Sequence, residues 1–300
     1  MNSLRSLLHY LRASCVLIGI TLNTLIMIWP LYLMVLLKLL IKADGFQRWA
    51  SSVLVGIAEA WISTNNGLIW LFSRIRWRIS GLDQVSPKQW YFVTSNHQSW
   101  SDILALQYVF NRKAPFFKFF LKQELRKVPL LGDAWWALDF PFMKRYTRAE
   151  IEKNPALKGK DLETTREACR KFAYFPTAVM NFMEGTRFTP EKHRRSQSPY
   201  QHLLKPKSGG AAFTLGAMAG TLNQMLDVTL IYPEQAPRTL IAFLGGAVNE
   251  VIVDIKVRDI PDWTSQGDYE NDPEFRIRFH RWVADLWKEK DALIAQHRGS

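Results

Sequence analysis

Trp90-Tyr91-Phe92-Val93-Thr94-Ser95-Asn96-His97-Gln98-Ser99-Trp100-Ser101-Asp102 is the stretch from which the fold of this 300-residue chain is read. Its first five residues are apolar, aromatic or β-branched and, with Ser95, predict a buried strand; the polar run after them predicts a turn leading into a helix. His97 and Asp102 stand five residues apart, a spacing that diverges on a helix, so the pair belongs on the turn or at the helix start. A neutral imidazole there takes a proton from an alcohol near neutral pH, and a carboxylate on its other nitrogen holds the tautomer and steadies the imidazolium. Taken alone, the pair reads more readily as a surface His beside an N-capping Asp.

Working outward, strand-like runs recur at 77–80, 177–182, 227–232, 239–244 and 251–257, and residues 161–175 have helical composition closed by Pro176. This alternation predicts an α/β fold, a mixed sheet covered by helices, with chemistry on loops at strand ends. Asp272 reads as an N-cap before Pro273, and Phe275, Phe279, Trp282 and Leu286 recur at helical spacing as a packing stripe. A basic loop from 190 to 207 is expected to be mobile.

A second polar segment, Phe182-Met183-Glu184-Gly185-Thr186-Arg187-Phe188, also follows a β-like run. Glycine lets a backbone approach a ligand, and an arginine offers a planar fork of donors suited to phosphate. Glu184 is expected to pair with Arg187; the alternative is a β-turn with a local ion pair.

The formal charge is +12, and 48% of residues are hydrophobic, with 12 Trp and 18 Phe. That composition supplies a core for one large domain plus an accessory element. Residues 112–148 carry a net +6 and residues 191–207 a net +4, so most of the excess flanks the two motifs. Such a surface suits nucleic acid, anionic headgroups or a phosphorylated substrate alike. No nucleic-acid-binding module is present, and Phe116, Phe117, Phe119 and Phe120 interleaved with Lys113, Lys118 and Lys122 suit either an interfacial segment or a core helix with a solvated edge.

Residues 14–37 contain no charge over 24 positions, enough for a helix to cross a bilayer core of roughly 30 Å. The run is longer than a signal-peptide core, and no small-residue cleavage site follows it. A weaker apolar stretch, 53–72, is interrupted by Glu59 and the turn signal Asn65-Asn66-Gly67, and Pro30 should kink the first run. Either the first run spans and the second is amphipathic, or the two form a helical pair embedded from one side. With Arg74, Arg76 and Arg78 on the cytoplasmic side, both arrangements attach the remainder of the chain to that face.

Read together, the two motifs resemble the glycerolipid acyltransferase family typified by 1-acyl-sn-glycerol-3-phosphate acyltransferase. Lys122-Gln123-Glu124-Leu125 with Pro129-Leu130-Leu131-Gly132 is similar to the stretch between that family's first two blocks. Phe140-Pro141-Phe142-Met143-Lys144-Arg145 is similar to its second block, and Asp227-Val228-Thr229-Leu230-Ile231-Tyr232-Pro233 to its last. Asn-His-x-Ser-Trp-x-Asp, Leu204-Lys205-Pro206-Lys207 and the Asp-Val-Thr ending look most like the branch holding lysocardiolipin-type enzymes and the bacterial YihG-like proteins. Where the main lysophosphatidate acyltransferases tend to a glycine-led second block ending in a single Arg, this chain has Asp139 and the pair Lys144-Arg145.

The resemblance implies a membrane-anchoring helical region over 1–75, embedded from one side, and an acyltransferase domain over 76–300, at a bacterial inner membrane with its catalytic domain on the cytoplasmic side. It implies acyl transfer from acyl-CoA or acyl carrier protein to a lysophospholipid, lysophosphatidate first, with lysophosphatidylglycerol, lysophosphatidylinositol and lysocardiolipin behind it. His97 and Asp102 would be catalytic. Glu184, Gly185, Thr186, Arg187, Lys144 and Arg145 would hold the acceptor phosphate, and Lys122 would lie on the acyl-donor side, where composition, not the resemblance, adds Phe116, Phe120 and Trp135 as candidates to line an acyl tunnel. Phospholipid membrane, lysophospholipid and acyl donor are the expected partners, with no nucleic acid, no bound cofactor and no metal. A non-catalytic membrane-binding protein and a lipid hydrolase are the contrasting readings. Cys15 and Cys169 suggest neither a disulfide framework nor a thiolate metal site, the six His form no zinc pattern, and no Gly-x-Ser-x-Gly elbow occurs.

Overall fold

The computed structural model describes residues 2–143, 160–170, 172 and 175–298. Two long helices lead, α1 (Asn2–Leu40) and α2 (Asp44–Ser73), followed by β1 (Arg76–Ser80), β2 (Tyr91–Ser95) and α3 (Ser101–Phe110). Next come β3 (Phe117–Lys118), β4 (Leu121–Lys122), α4 (Leu131–Ala137), β5 (Phe142–Met143), α5 (Lys160–Cys169), β6 (Ala178–Asn181), α6 (Pro190–Ser196) and α7 (Ser208–Ala217). The chain closes with β7 (Gln224–Ile231), α8 (Leu240–Leu244), β8 (Glu250–Asp259) and α9 (Pro273–Arg298).

Six strands form one sheet in the order β1-β8-β7-β2-β6-β3, and β4 and β5 pair separately. All neighbours in the large sheet run parallel except β7 and β8. β2 lies between two parallel partners, with Thr94 opposite Asn181 on β6 and Asp227 on β7. Successive residues of the buried run 91–95 point to opposite faces, so both faces are covered. Tyr91 and Val93 join Leu226, Val228 and Leu230 in a core beneath α1, α2, α3 and α8, while Phe92 joins Val179 and Met225 in a second core beneath α5, α7 and α9. The predicted stripe on α9 fills that second core: Phe279 and Leu286 are buried, Phe275 and Trp282 partly so, and Asp272 caps the helix by accepting from Glu274 and Phe275 N–H.

Several local expectations are corrected. The Asn65-Asn66-Gly67 signal makes no turn, and α2 runs through it, because Asn65 is buried against α1, where its Oδ1 accepts from Asn23 Nδ2 at 2.8 Å. A turn-forming side chain given a partner on the next helix no longer competes with its own backbone. Residues 239–244 form a short helix, not a strand: Thr239 Oγ1 accepts from Ala242 N–H and Gly245-Gly246 ends the turn, so a brief apolar run was insufficient to separate the two states. Residues 116–120 are a short edge strand with flanking chain, not a helix. The basic stretch from 190 opens as helix α6 under a Thr189 cap, and its continuation is tied down by Leu204 N–H to Glu184, Lys207 N–H to the Met183 carbonyl, and Gln201 and His202 N–H to Asp291.

Candidate active site

Both motifs leave the C-terminal ends of adjacent parallel strands, β2 and β6, where an open α/β sheet offers its crevice. Asp102 sits in the first turn of α3, fully buried, and His97 on the loop before it. His97 Nδ1 donates to Asp102 Oδ2 at 2.8 Å, and the same oxygen accepts Gln98 N–H at 2.5 Å and Ser99 N–H at 2.9 Å. Three donors thus converge on one carboxylate oxygen. With Nδ1 so engaged, the lone pair lies on Nε2, the nitrogen left to the partly exposed side of the ring. Phe182 stacks on that ring at 4.1 Å between centroids, and Phe119 lies against Phe182 at 6.4 Å.

Glu184 does not pair with Arg187. Its Oε1 accepts His97 N–H at 2.9 Å and its Oε2 accepts Leu204 N–H at 3.1 Å, so it ties three segments together from a position that is 1% exposed. Burial raises its pKa from 4.5 to about 7, against the two N–H bonds, which lower it; the Asp102 carboxylate adds to the rise. Phe188 N–H donates to the His97 carbonyl at 2.7 Å, a second clamp between the motifs. Gly185 has φ +67° and lies so close to Lys207 that a Cβ there would meet Lys207 Cδ at 3.2 Å. A side chain at this position would be both strained and crowded.

Arg187 lies over the Trp100 ring, 4.1 Å from the guanidinium carbon to the centroid. Thr186 Oγ1 accepts from Lys192 Nζ at 2.7 Å, and Lys192 also reaches the Arg187 carbonyl. The structure therefore adds two residues to those read from sequence, Trp100 as a platform and Lys192 as a second cation. Residue type and local spacing gave no sign that Trp100 meets Arg187, 87 positions on. Lys144 and Arg145 lie outside the described residues.

The four residues expected on the donor side fall on two cavities. An apolar one of about 360 Å³ lies between the α1–α2 pair and the chain from α3 to α4, and takes in Phe116, Trp135, Ile62, Leu106 and Leu138. A larger one of about 680 Å³ takes in Phe120, Lys122, Asn181 and Phe182. Phe119 lines both, which places the apolar cavity two aromatic contacts from His97. Asp139 supplies a reason for the glycine-led second block: its φ is +61°, the left-handed region that glycine occupies freely. Here the residue is held by Ser51 Oγ at 2.6 Å and Lys38 Nζ at 3.2 Å. Among the described residues no three His, Cys, Asp or Glu side chains converge as metal ligands.

The acyltransferase family matches residues 76–232, from β1 to the residue after β7. Mouse 1-acyl-sn-glycerol-3-phosphate acyltransferase gamma is 30% identical over 191 residues, 60% of this chain and 46% of its own length. The human gamma protein is 29% identical over 59% of this chain, and the mouse delta protein 28% identical over 60%. The chain thus spans about half the length of these curated relatives. The crystal structure of the 1-acyl-sn-glycerophosphate (LPA) acyltransferase, PlsC, from Thermotoga maritima shares the fold, with a TM-score of 0.50, 17% identity and coverage of 97% of this chain and 98% of that one.

Proposed function

We propose, for a chain that belongs to the acyltransferase family, transfer of a fatty acyl group from an acyl thioester to the free hydroxyl of a lysophospholipid, with 1-acyl-sn-glycerol-3-phosphate as acceptor and phosphatidic acid as product. The observation that carries this reading is the His97–Asp102 pair at 2.8 Å clamped beside Arg187. His97 Nε2 takes the hydroxyl proton as that oxygen attacks the thioester carbon, and Asp102 steadies the imidazolium. The tetrahedral intermediate then expels the thiolate, which takes the proton back from His97, leaving a diacyl product and a free thiol. General-base help is worth about 10²- to 10⁴-fold, so positioning carries much of the remainder.

Arg187 on its Trp100 platform holds the acceptor phosphate, with Lys192 and Thr186 beside it and Gly185 giving backbone access. Glu184 acts through the backbone it ties and does not touch the phosphate. Lys144 and Arg145 are assigned to phosphate or donor by resemblance alone. The amides of His97, Gln98, Ser99, Gly185 and Phe188 are all engaged, so oxyanion donors come from Trp100, Thr186 or Arg187 N–H. The acyl chain occupies the apolar cavity along Phe116 and Trp135, and the donor, acyl-CoA or acyl carrier protein, approaches past Phe120 and Lys122.

Residues 1–75 serve as the membrane-anchoring region and 76–300 as the catalytic domain. Among the described residues one helix is long and apolar enough to cross a membrane, over residues 4–40. Its contacts favour one-sided embedding. His9 Nδ1 donates to the Gly245 carbonyl at 2.7 Å near one end, and Lys38 Nζ to the Ala137 carbonyl at 2.8 Å near the other. These contacts are about 44 Å apart along the helix, and both reach the body of the fold. A helix held along that length to one face of a domain has no free bilayer-thick segment, while Leu22, Ile26, Trp29 and Leu33 stay exposed for lipid. We assign the domain to the cytoplasmic face of a bacterial inner membrane, with Arg74, Arg76 and Arg78 at anionic headgroups. The lysocardiolipin-type branch, and with it other lysophospholipid acceptors, is a finer reading supported by the Asn96-to-Asp102 wording and the Asp-Val-Thr block.

The test is acyl transfer from labelled acyl-CoA to a panel of lysophospholipids by wild type and His97→Ala. A 10²- to 10⁴-fold loss in His97→Ala is expected. Equal turnover would remove His97 as base, no turnover by wild type on any acceptor would favour a binding protein, and release of free fatty acid would mean a hydrolase.

A further inference from the structure

The turn from 96 to 102 is braced at three points by the end of β7 and the chain that follows it. Asn96 exchanges two hydrogen bonds with the Leu230 backbone, Nδ2 to the carbonyl at 2.9 Å and Leu230 N–H to Oδ1 at 2.8 Å. Ser99 Oγ donates to the Arg238 carbonyl at 3.1 Å. Between them, the Tyr232 hydroxyl donates to Asp102 Oδ1 at 2.7 Å. Tyr232 is 3% exposed and Asp102 fully buried, so water does not substitute for this bond.

The two oxygens of Asp102 are used differently. Oδ2 receives His97 and two backbone amides, whereas among the described residues Oδ1 receives Tyr232 alone. We propose that Tyr232 is a positioning residue that completes a His97–Asp102–Tyr232 relay, fixing the carboxylate plane in which Oδ2 meets the imidazole and tempering its pull on the Nδ1 proton. The assignment of His97 as base rests on the acyltransferase reading; the hydrogen-bonded chain itself does not. Burial and the adjacent carboxylate push the Tyr232 hydroxyl well above its ordinary range, so it remains a protonated donor. The other charged groups facing this chain are Glu184, on the His97 amide, and Arg238, which feels both Asp102 and Tyr232. Tyr232 reaches its place because the strand alternation that buries Leu226, Val228 and Leu230 continues one residue beyond β7.

The decisive measurement is the titration of the His97 ring, followed by NMR on histidine-labelled protein in detergent micelles and assigned by its loss in His97→Ala. Tyr232→Phe keeps the buried ring and deletes the donor. Asp102 then bears its charge unshared toward His97, and the titration midpoint moves to higher pH. 3-Fluorotyrosine at position 232, a stronger donor of nearly the same shape, moves it to lower pH, a reversal that packing alone does not produce. In wild-type background Tyr232→Phe lowers kcat about tenfold with KM unchanged, the loss of about 1.4 kcal/mol in the transition state. A midpoint unmoved by either change, or moved equally when Asp102→Asn is already present, overturns the relay. Failure of wild type to make diacyl product would overturn the acyltransferase reading instead, and the titration would still decide the relay.

Discussion

Glu184→Gln tests whether a buried carboxylate, rather than a phosphate ligand, holds the two motifs together. In the native state the group sits near 7 instead of 4.5, which at roughly 1.4 kcal/mol per tenfold change in proton affinity amounts to roughly 3–4 kcal/mol, about 3 of it still present at pH 5. Because the folded value is the higher one, the native state binds more protons than the unfolded chain across this window. Its contribution to stability is therefore fully present below 4.5 and is lost as pH rises through about 7. Glutamine cannot ionise, and it offers one carbonyl to two N–H donors, those of His97 and Leu204, so one buried amide is orphaned at about 1–3 kcal/mol whatever the pH. At pH 5, Glu184→Gln should thus melt below wild type. At pH 8.5 wild type has given up its roughly 3 kcal/mol and the gap closes or inverts, a relative change of roughly 6–12 °C at about 2–4 °C per kcal/mol. Melting curves in one detergent at the two pH values measure this, and effects of other titrating groups cancel between the proteins. A gap that stays constant from pH 5 to 8.5 would refute the assignment of Glu184 as a buried tether that is protonated in the acidic range.

Three further outcomes are expected. Trp100→Ala removes the platform under Arg187, worth about 0.5–1 kcal/mol at an exposed site, so KM for the phosphorylated acceptor should rise roughly 2- to 5-fold with kcat retained; an unchanged KM separates Arg187 from acceptor binding. Ala58→Phe projects a ring from α2 into the apolar cavity and should shift acyl-donor preference to shorter chains, read by product mass spectrometry over a donor series; an unaltered chain-length profile places the acyl chain elsewhere. Lys290→Met deletes a buried ammonium that pairs with Asp227 and donates to the Val228 carbonyl at 2.6 Å. Asp227 keeps Arg258 at 3.0 Å, so the cost should be about 3 kcal/mol, the low end for breaking a buried pair, visible as a lower melting temperature; no change would mean the pair is energetically neutral.

Much of the sheet was legible because its strands are short apolar runs ending in polar turns, and the runs at 90–95, 227–232 and 251–257 lie within or across observed strands. The run at 239–244 was read as a strand because five apolar residues satisfy either period, and only the Thr239 cap and the following glycines, seen in place, decide for a helix. The Asn65-Asn66-Gly67 signal misled for a related reason: its outcome depends on Asn23, 42 positions earlier, and local propensity does not report a partner on another helix. Asp139 was conspicuous as a departure from a glycine-led block, and its positive φ is a property of the backbone that residue identity alone suggests only weakly.

By itself the sequence determined which chemistry is present. His97, Asp102, Glu184 and Arg187 could be picked out, as could the apolar amino terminus, because residue type and short-range spacing are local properties that survive in a string of letters. Only the tertiary structure decided what each group meets: that Glu184 receives backbone N–H groups and leaves Arg187 to Trp100, that Tyr232 meets the far oxygen of Asp102, and that α1 is held near both ends to the body of the fold. Those pairings join residues separated by between 20 and 236 positions, or are made by them. They exist because parallel neighbours β6, β2 and β7 deliver three loops to one sheet end, where burial makes every unsatisfied donor costly enough to select its partner.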